Sequence, residues 1–176
     1  LYTAEMAPNR LFVHAGVVGW QGRAILLPGR SHSGKSTLVA ALLLAGATYY
    51  SDEYAVLDAR GRVHPFAKPL SLRQPAGEPP HRIPAEAWGG RAGVDPLPVG
   101  LVAVTEYQPG KRWRPRPLSP GRAVLALLAH TVPARRRPAA ALARLRRALA
   151  DARVVTSLRG DAEETAARLL ASLAGV

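Results

Sequence analysis

The chain has no cysteine, and its 176 residues include only three lysines and one methionine. Without thiols there can be no disulfides and no thiolate metal site, which suits a cytoplasmic protein. No apolar run reaches the about 18 residues that a membrane-spanning helix requires, so no span is expected. No signal-peptide pattern is visible in the residues present. Aromatic residues make up only 6% of the chain, and no stacking platform or base-reading motif stands among them. Nucleic acid is therefore not the expected partner, in spite of the charge. Acids are scarce as well, 12 against 24 Lys and Arg, for a net charge of +12. The shortage is concentrated in one region. Residues 111–159 hold 13 basic residues and one acid, Asp151, whereas residues 1–110 hold 10 basic and 8 acidic. The basic half reads as Arg-rich helices with solvated faces.

What the chain does have is apolar residue content and punctuation. Nearly half of the residues are hydrophobic, enough for one domain with a real core. "LFVHAGVVGW" (Leu11–Trp20) and "RAILLPG" (23–29) are apolar runs separated by "QG", the pattern of a hairpin. The Ala- and Leu-rich stretch Lys35–Leu44 reads as a helix ended by Gly46. A strand is expected over 48–58, with "ARGR" turning the chain into "VHPF". Residues 74–98 are rich in Pro and Gly and read as an irregular, mobile flap. One more strand is expected over 100–110, and helices over 119–130 and 137–152. "RVVTSL" is a last short strand, and 161–173 is a closing helix with Asp161 as N-cap. No internal repeat is present. The sum is a single α/β domain over 1–176, built on a mixed sheet flanked by helices. Its core covers 11–73 and its C-terminal helical part 119–176.

Between the second strand and the first helix, Gly29-Arg30-Ser31-His32-Ser33-Gly34-Lys35-Ser36 fits G-x-x-x-x-G-K-[ST]. In a strand–loop–helix setting, the backbone N–H groups of Ser33 to Thr37 point at phosphate oxygens, aided by the helix N-terminus. Lys35 would reach the β- and γ-phosphates of a nucleotide such as ATP, and the Ser36 hydroxyl would ligate Mg²⁺. The motif stands out in a chain with 21 arginines and three lysines. Phosphoryl transfer also calls for a carboxylate that holds the metal or takes the acceptor's proton. "SDEY" supplies Asp52 and Glu53, adjacent acids in an acid-poor chain, and Asp52 is the stronger candidate. Asp58 reads instead as the residue that opens the "DARG" turn. His14, taken alone, reads as a core histidine in a strand.

The order "HAGVV", "LLPGRSHSGKST", "YYSDEYAVLD" resembles the catalytic domain of HPr kinase/phosphorylase, and more closely the shorter HPr-kinase-related proteins of bacterial gene clusters. The resemblance covers residue 11 to about residue 73, including "PFAKPLSLR". It implies the mixed-sheet fold shared with phosphoenolpyruvate carboxykinase, and an ATP- and Mg²⁺-dependent kinase acting on a hydroxyl, most simply a serine of a small protein or peptide. It also implies a nucleotide site at 29–37, an active-site role for His14, and a general base and metal ligands at Asp52 and Glu53. Lys68 and Arg73 would lie near the site. The parent family forms hexamers, so a homo-oligomer belongs to what the resemblance implies. Glu53 stands where the family usually has a second aspartate, and the glycine-rich stretch tied to the reverse phosphorylase reaction is not recognisable after residue 73. GTP or pyrophosphate as donor stays open. So does a second reading, a non-catalytic nucleotide-binding regulatory module that engages an acidic or nucleic-acid partner through its Arg-rich helices.

Overall fold

The computed structural model describes residues 9–29, 33–72, 81–132 and 137–174. It is a mixed α/β fold, an eight-stranded sheet between two pairs of helices. Strands β1 (Leu11–Trp20) and β2 (Arg23–Pro28) form the expected antiparallel hairpin. Its two-residue turn places both Gln21 (φ 49°) and Gly22 (φ 75°) in the left-handed region, which matches the twist of the strands. Helix α1 (Lys35–Leu44) follows the loop. It stops where Gly46 (φ 94°) lets the N–H groups of Gly46 and Ala47 reach back to the carbonyls of Leu43 and Leu42.

The run expected as one strand over 48–58 is broken into β3 (Thr48–Ser51) and β4 (Tyr54–Leu57), with Asp52 and Glu53 in the bend. The Ser51 hydroxyl causes the break by accepting from the N–H groups of Glu53, at 3.1 Å, and Tyr54, at 2.9 Å. A bulge between Val17 and Val18 of β1 accommodates it, so one edge of β1 pairs with β4 over Leu11 to His14 and with β3 beyond Val17. Strand β5 (Val63–His64) then closes the second hairpin. Asp58 does open that turn. Its Oδ1 accepts from the N–H groups of Arg60 and Arg62, and its Oδ2 meets His64 Nε2 at 2.9 Å.

The segment expected as a free flap is fastened from residue 81 onward. Strands β6 (Leu70–Leu72) and β7 (His81–Ile83) form a separate two-stranded sheet, followed by a 3-10 turn over Ala85–Trp88. Backbone bonds then tie Tyr49 to Arg91 and Gly93, and Val63 to Leu97 in both directions. The Tyr50 hydroxyl donates to the Asp95 carbonyl at 2.7 Å. Proline does not prevent this, because the bonds use the N–H groups of Gly93 and Leu97, which lie between the prolines.

The remaining elements are β8 (Val99–Tyr107), β9 (Arg116–Pro117), α2 (Pro120–Leu128), α3 (Pro138–Ala148), β10 (Arg153–Arg159) and α4 (Ala162–Ala174). Asp161 caps α4 by accepting from the Glu164 N–H at 2.8 Å. The sheet runs in the order β5-β4-β1-β2-β8-β10-β9, with β3 beside β1. Strands β2, β8 and β10 are mutually parallel, and the outer strands are antiparallel to their neighbours. Alternate residues of the central strands face opposite layers. Val18, Ile25, Leu27, Leu101 and Val155 pack with α1 and α4, while Val17, Leu26, Val102 and Val154 pack with α2 and α3. Burial on both faces is why these strands read as continuous apolar runs.

Candidate functional site

Strand β1 brings the site together. On one edge Ala15 sits opposite Pro28, and the Gly29 N–H donates to the His14 carbonyl at 3.3 Å. On the other edge His14 sits opposite Tyr54, and the Ala15 N–H donates to the Glu53 carbonyl at 3.2 Å. The end of β2, where the candidate phosphate loop starts, and the bend that carries Asp52 and Glu53 thus flank the same two residues of β1. Antiparallel pairing sets this placement, because it folds segments about 15 and 40 residues along the chain back onto the first strand.

The loop re-enters the described structure at Ser33, and Arg30, Ser31, His32 and Arg73 lie outside the described residues. Gly34 precedes α1 with φ 78° and ψ 17°, a left-handed conformation that glycine adopts without cost. Its position lets Lys35 and Ser36 open the helix on the sheet's edge. The Ser36 hydroxyl donates to Asp52 Oδ2 at 3.2 Å. Burial draws the half-buried Lys35 ammonium below its ordinary range, and the Asp52 charge partly restores it. Thr37 is exposed at the start of the helix.

Of the two acids, Asp52 is the one that meets Ser36 among the described residues. Glu53 turns to Lys68, whose Nζ lies 3.1 Å from Oε2 and 4.8 Å from the centre of the Phe66 ring. Both ends of that ion pair are well exposed, so it positions more than it stabilises. His14 stacks on Tyr54 with ring centres 4.4 Å apart. Burial lowers its pKa below the usual 6.5, and the Lys35 charge lowers it further. The Glu53 carboxylate opposes both. His14 therefore favours its neutral form at pH 7, with a cation and an anion acting on it in opposite senses.

Two residues that the sequence did not single out belong to this arrangement. The Tyr49 hydroxyl donates to the Lys68 carbonyl at 2.6 Å and stands 3.4 Å from Asp52 Oδ1. Burial, with the Asp52 charge behind it, pushes the phenol far above its ordinary pKa, so it stays a donor. Arg159, at the end of β10, is 2% exposed and donates through Nη2 to the carbonyls of Ser33, at 3.2 Å, and Gly34, at 2.9 Å. Neither carries a local sequence signal: Tyr49 is one of two adjacent strand tyrosines, and Arg159 is one arginine among 21.

The donor set suits a hard divalent cation. Ser36 and Asp52 present a hydroxyl and a carboxylate oxygen side by side, and Mg²⁺ takes one or two carboxylates and fills the rest with water and phosphate oxygens. Glu53, expected as a further ligand, points its carboxylate at Lys68. Among the described residues no group of three or more His, Asp or Glu could hold a metal by itself. No helix among them is long and apolar enough to cross a membrane.

No protein-family model matches the chain, and no curated protein matches it. Among solved structures, the chain is similar to the HPr(Ser) kinase/phosphatase from Coxiella burnetii, with 15% sequence identity and a TM-score of 0.44. The similarity covers 92% of this chain and 93% of that one.

Proposed function

We propose that the chain is an ATP- and Mg²⁺-dependent phosphotransferase of the HPr-kinase-like kind, acting on a serine hydroxyl of a small protein or peptide in the cytoplasm. One observation carries this reading: the helix-opening Ser36 of a G-x-x-x-x-G-K-S loop meets Asp52 at 3.2 Å, while a neutral histidine and a lysine stand beside them. A carboxylate there can both help hold the metal and take the acceptor's proton.

Each residue then has a task. Backbone N–H groups at the start of α1 bind the phosphates, and the Lys35 ammonium offsets charge on the group in transit. Ser36 and Asp52 would hold Mg²⁺, which when bound neutralises part of the phosphate charge. Asp52 Oδ1, the oxygen turned to Tyr49 and not to Ser36, accepts the proton of the acceptor hydroxyl. The serine oxygen bonds to the γ-phosphorus, the bond to the β–γ bridging oxygen breaks, and ADP leaves. His14 donates to a γ-phosphate oxygen, and Lys68 offers a charge on the acceptor side. Tyr49 holds the Lys68 backbone against Asp52.

The test is ³¹P NMR of the purified chain with ATP and Mg²⁺, with and without serine-containing peptides and phosphocarrier proteins. A phosphoserine resonance is expected with an acceptor. It should fall by about 10²-fold or more in Asp52→Asn, the loss typical of removing a general base. Intact ATP beside a saturable binding isotherm would overturn the kinase and leave a nucleotide-binding regulatory module.

A further inference from the structure

We propose that Arg159 is a positioning residue of the candidate phosphate site, holding Ser33 and Gly34 from the end of β10 so that the N–H groups of Gly34 and Lys35 are turned to receive an anion; this rests on reading 29–37 as a phosphate site. Strands β2, β8 and β10 are parallel, so their carboxyl ends share one edge of the sheet, the edge on which open α/β sheets bind ligands. The candidate phosphate loop leaves that edge from β2, and Arg159 is the last residue of β10.

Its surroundings are unusual for an arginine. The side chain is 2% exposed, yet among the described residues no carboxylate lies within ion-pair distance, and its buried Nε has no hydrogen-bond partner. A buried charge without a counter-charge is costly, and burial accordingly draws the guanidinium below its ordinary pKa. The Tyr107 ring, 5.4 Å from Cζ, is the other group beside it, and the Gln108 N–H fixes its backbone by donating to the Arg159 carbonyl at 2.9 Å. What the guanidinium does with its donors is hold two successive carbonyls of the loop.

Those two bonds orient the loop through the planar peptide. In a trans peptide the C=O and the following N–H point in opposite directions. Drawing the Ser33 and Gly34 carbonyls to Arg159 therefore turns the Gly34 and Lys35 N–H groups the other way, to where a phosphate is bound. The charge that performs this also attracts the anion. Gly34 makes the approach possible, since a Cβ there would stand 2.5 Å from Nη2. An apolar residue at 159 would pack as well but would take away the Ser33 contact and leave the Gly34 carbonyl to the Leu38 N–H, which donates to it at 3.2 Å.

Amide ¹⁵N relaxation of the unliganded chain reads the loop's order, and a titration with ATP and Mg²⁺ reads its use. In Arg159→Met the order parameters of Gly34 and Lys35 are expected to fall from about 0.85 to below about 0.6, with β1 and β2 unchanged. Affinity for ATP should drop about tenfold, the scale of charge-assisted hydrogen bonds lost. Arg159→Lys keeps the charge but presents one nitrogen, so it should regain part of the affinity and little of the order. Unchanged order parameters in a folded Arg159→Met overturn the proposal, whatever the melting temperature does. Should the Met variant fail to fold, unchanged order and affinity in Arg159→Lys overturn it equally. A wild-type loop that binds no ATP, but loosens in Arg159→Met, would remove the kinase reading and leave the role of Arg159 standing.

Discussion

Asp52 and Glu53 are neighbours in sequence with different contacts, and the bend between β3 and β4 separates them. Asp52 faces Ser36, and Glu53 faces Lys68. Exchanging both acids for amides one at a time would show the difference. Under the proposed reaction Glu53→Gln should cost far less phosphotransfer than Asp52→Asn, because it removes neither the Ser36 contact nor the proposed base. His14 offers a test in pH. Its folded pKa is lowered, so the unfolded chain binds the proton more readily, and stability rises with pH between the two values. The contribution is fully present above about pH 6.5 and is lost as pH falls through the folded value. An NMR titration of the His14 ring should give a midpoint below 6.5, raised in Lys35→Met and lowered further in Glu53→Gln. A midpoint above 6.5 would contradict the neutral histidine used in the proposed reaction.

At the scale of elements, the seat of α1 decides where the loop ends. Leu38 to Leu43 are all buried, so the helix is held on every side, by the sheet and by α4. It approaches β1 closely at Gly16, where a Cβ would come within 2.7 Å of Val39 Cγ2. Valine cannot swing its methyl away as a lysine could move its end, because its side chain is branched at Cβ. Gly16→Ala is therefore expected to destabilise the fold by about 1–3 kcal/mol, the usual cost of overpacking, read by urea denaturation. Since α1 carries Lys35 and Ser36, ATP affinity should fall with it. Stability and affinity both at wild-type values would mean that the helix shifts freely.

Across the whole molecule, the core does not divide at the boundary between the nucleotide-site half and the basic half. Leu169, Leu170 and Leu173 of α4 belong to the same buried cluster as Leu38 and Leu42 of α1, and β10 pairs with β8 inside the sheet. Deleting residues 153–176 would remove one of the two helices on one face of the sheet and open a new edge on β8. The truncated chain is expected to lose cooperative unfolding by circular dichroism and to aggregate on size-exclusion chromatography. A truncated chain that still melts in one sharp transition would show that 1–152 folds alone. The excess of arginine belongs to this scale as well. Leu145, Ala141 and Ala148 of α3 face the sheet, while Arg146 and Arg147 are exposed, so the charge reads as a solvated helix face.

The sequence by itself determined the α/β class, the β1–β2 hairpin, the helix after the loop, the Asp58 turn and the Asp161 cap, because each depends on residues within one turn or one strand of each other. It also marked the residues of the candidate site, since the loop is a contiguous motif and the paired acids stand out in a chain with few. Only the tertiary structure decided which acid meets Ser36. The Ser51 hydroxyl breaks a run that composition reads as one strand, and a break of two residues changes where a side chain points. It alone also fastened 81–98 to β3 and β5 through backbone bonds that leave no trace in composition. And it alone brought Arg159 to the Gly34 carbonyl across 125 positions. Parallel strands carry their ends to one edge however far apart they lie in the chain, so a contact made there has no spacing from which it could be read.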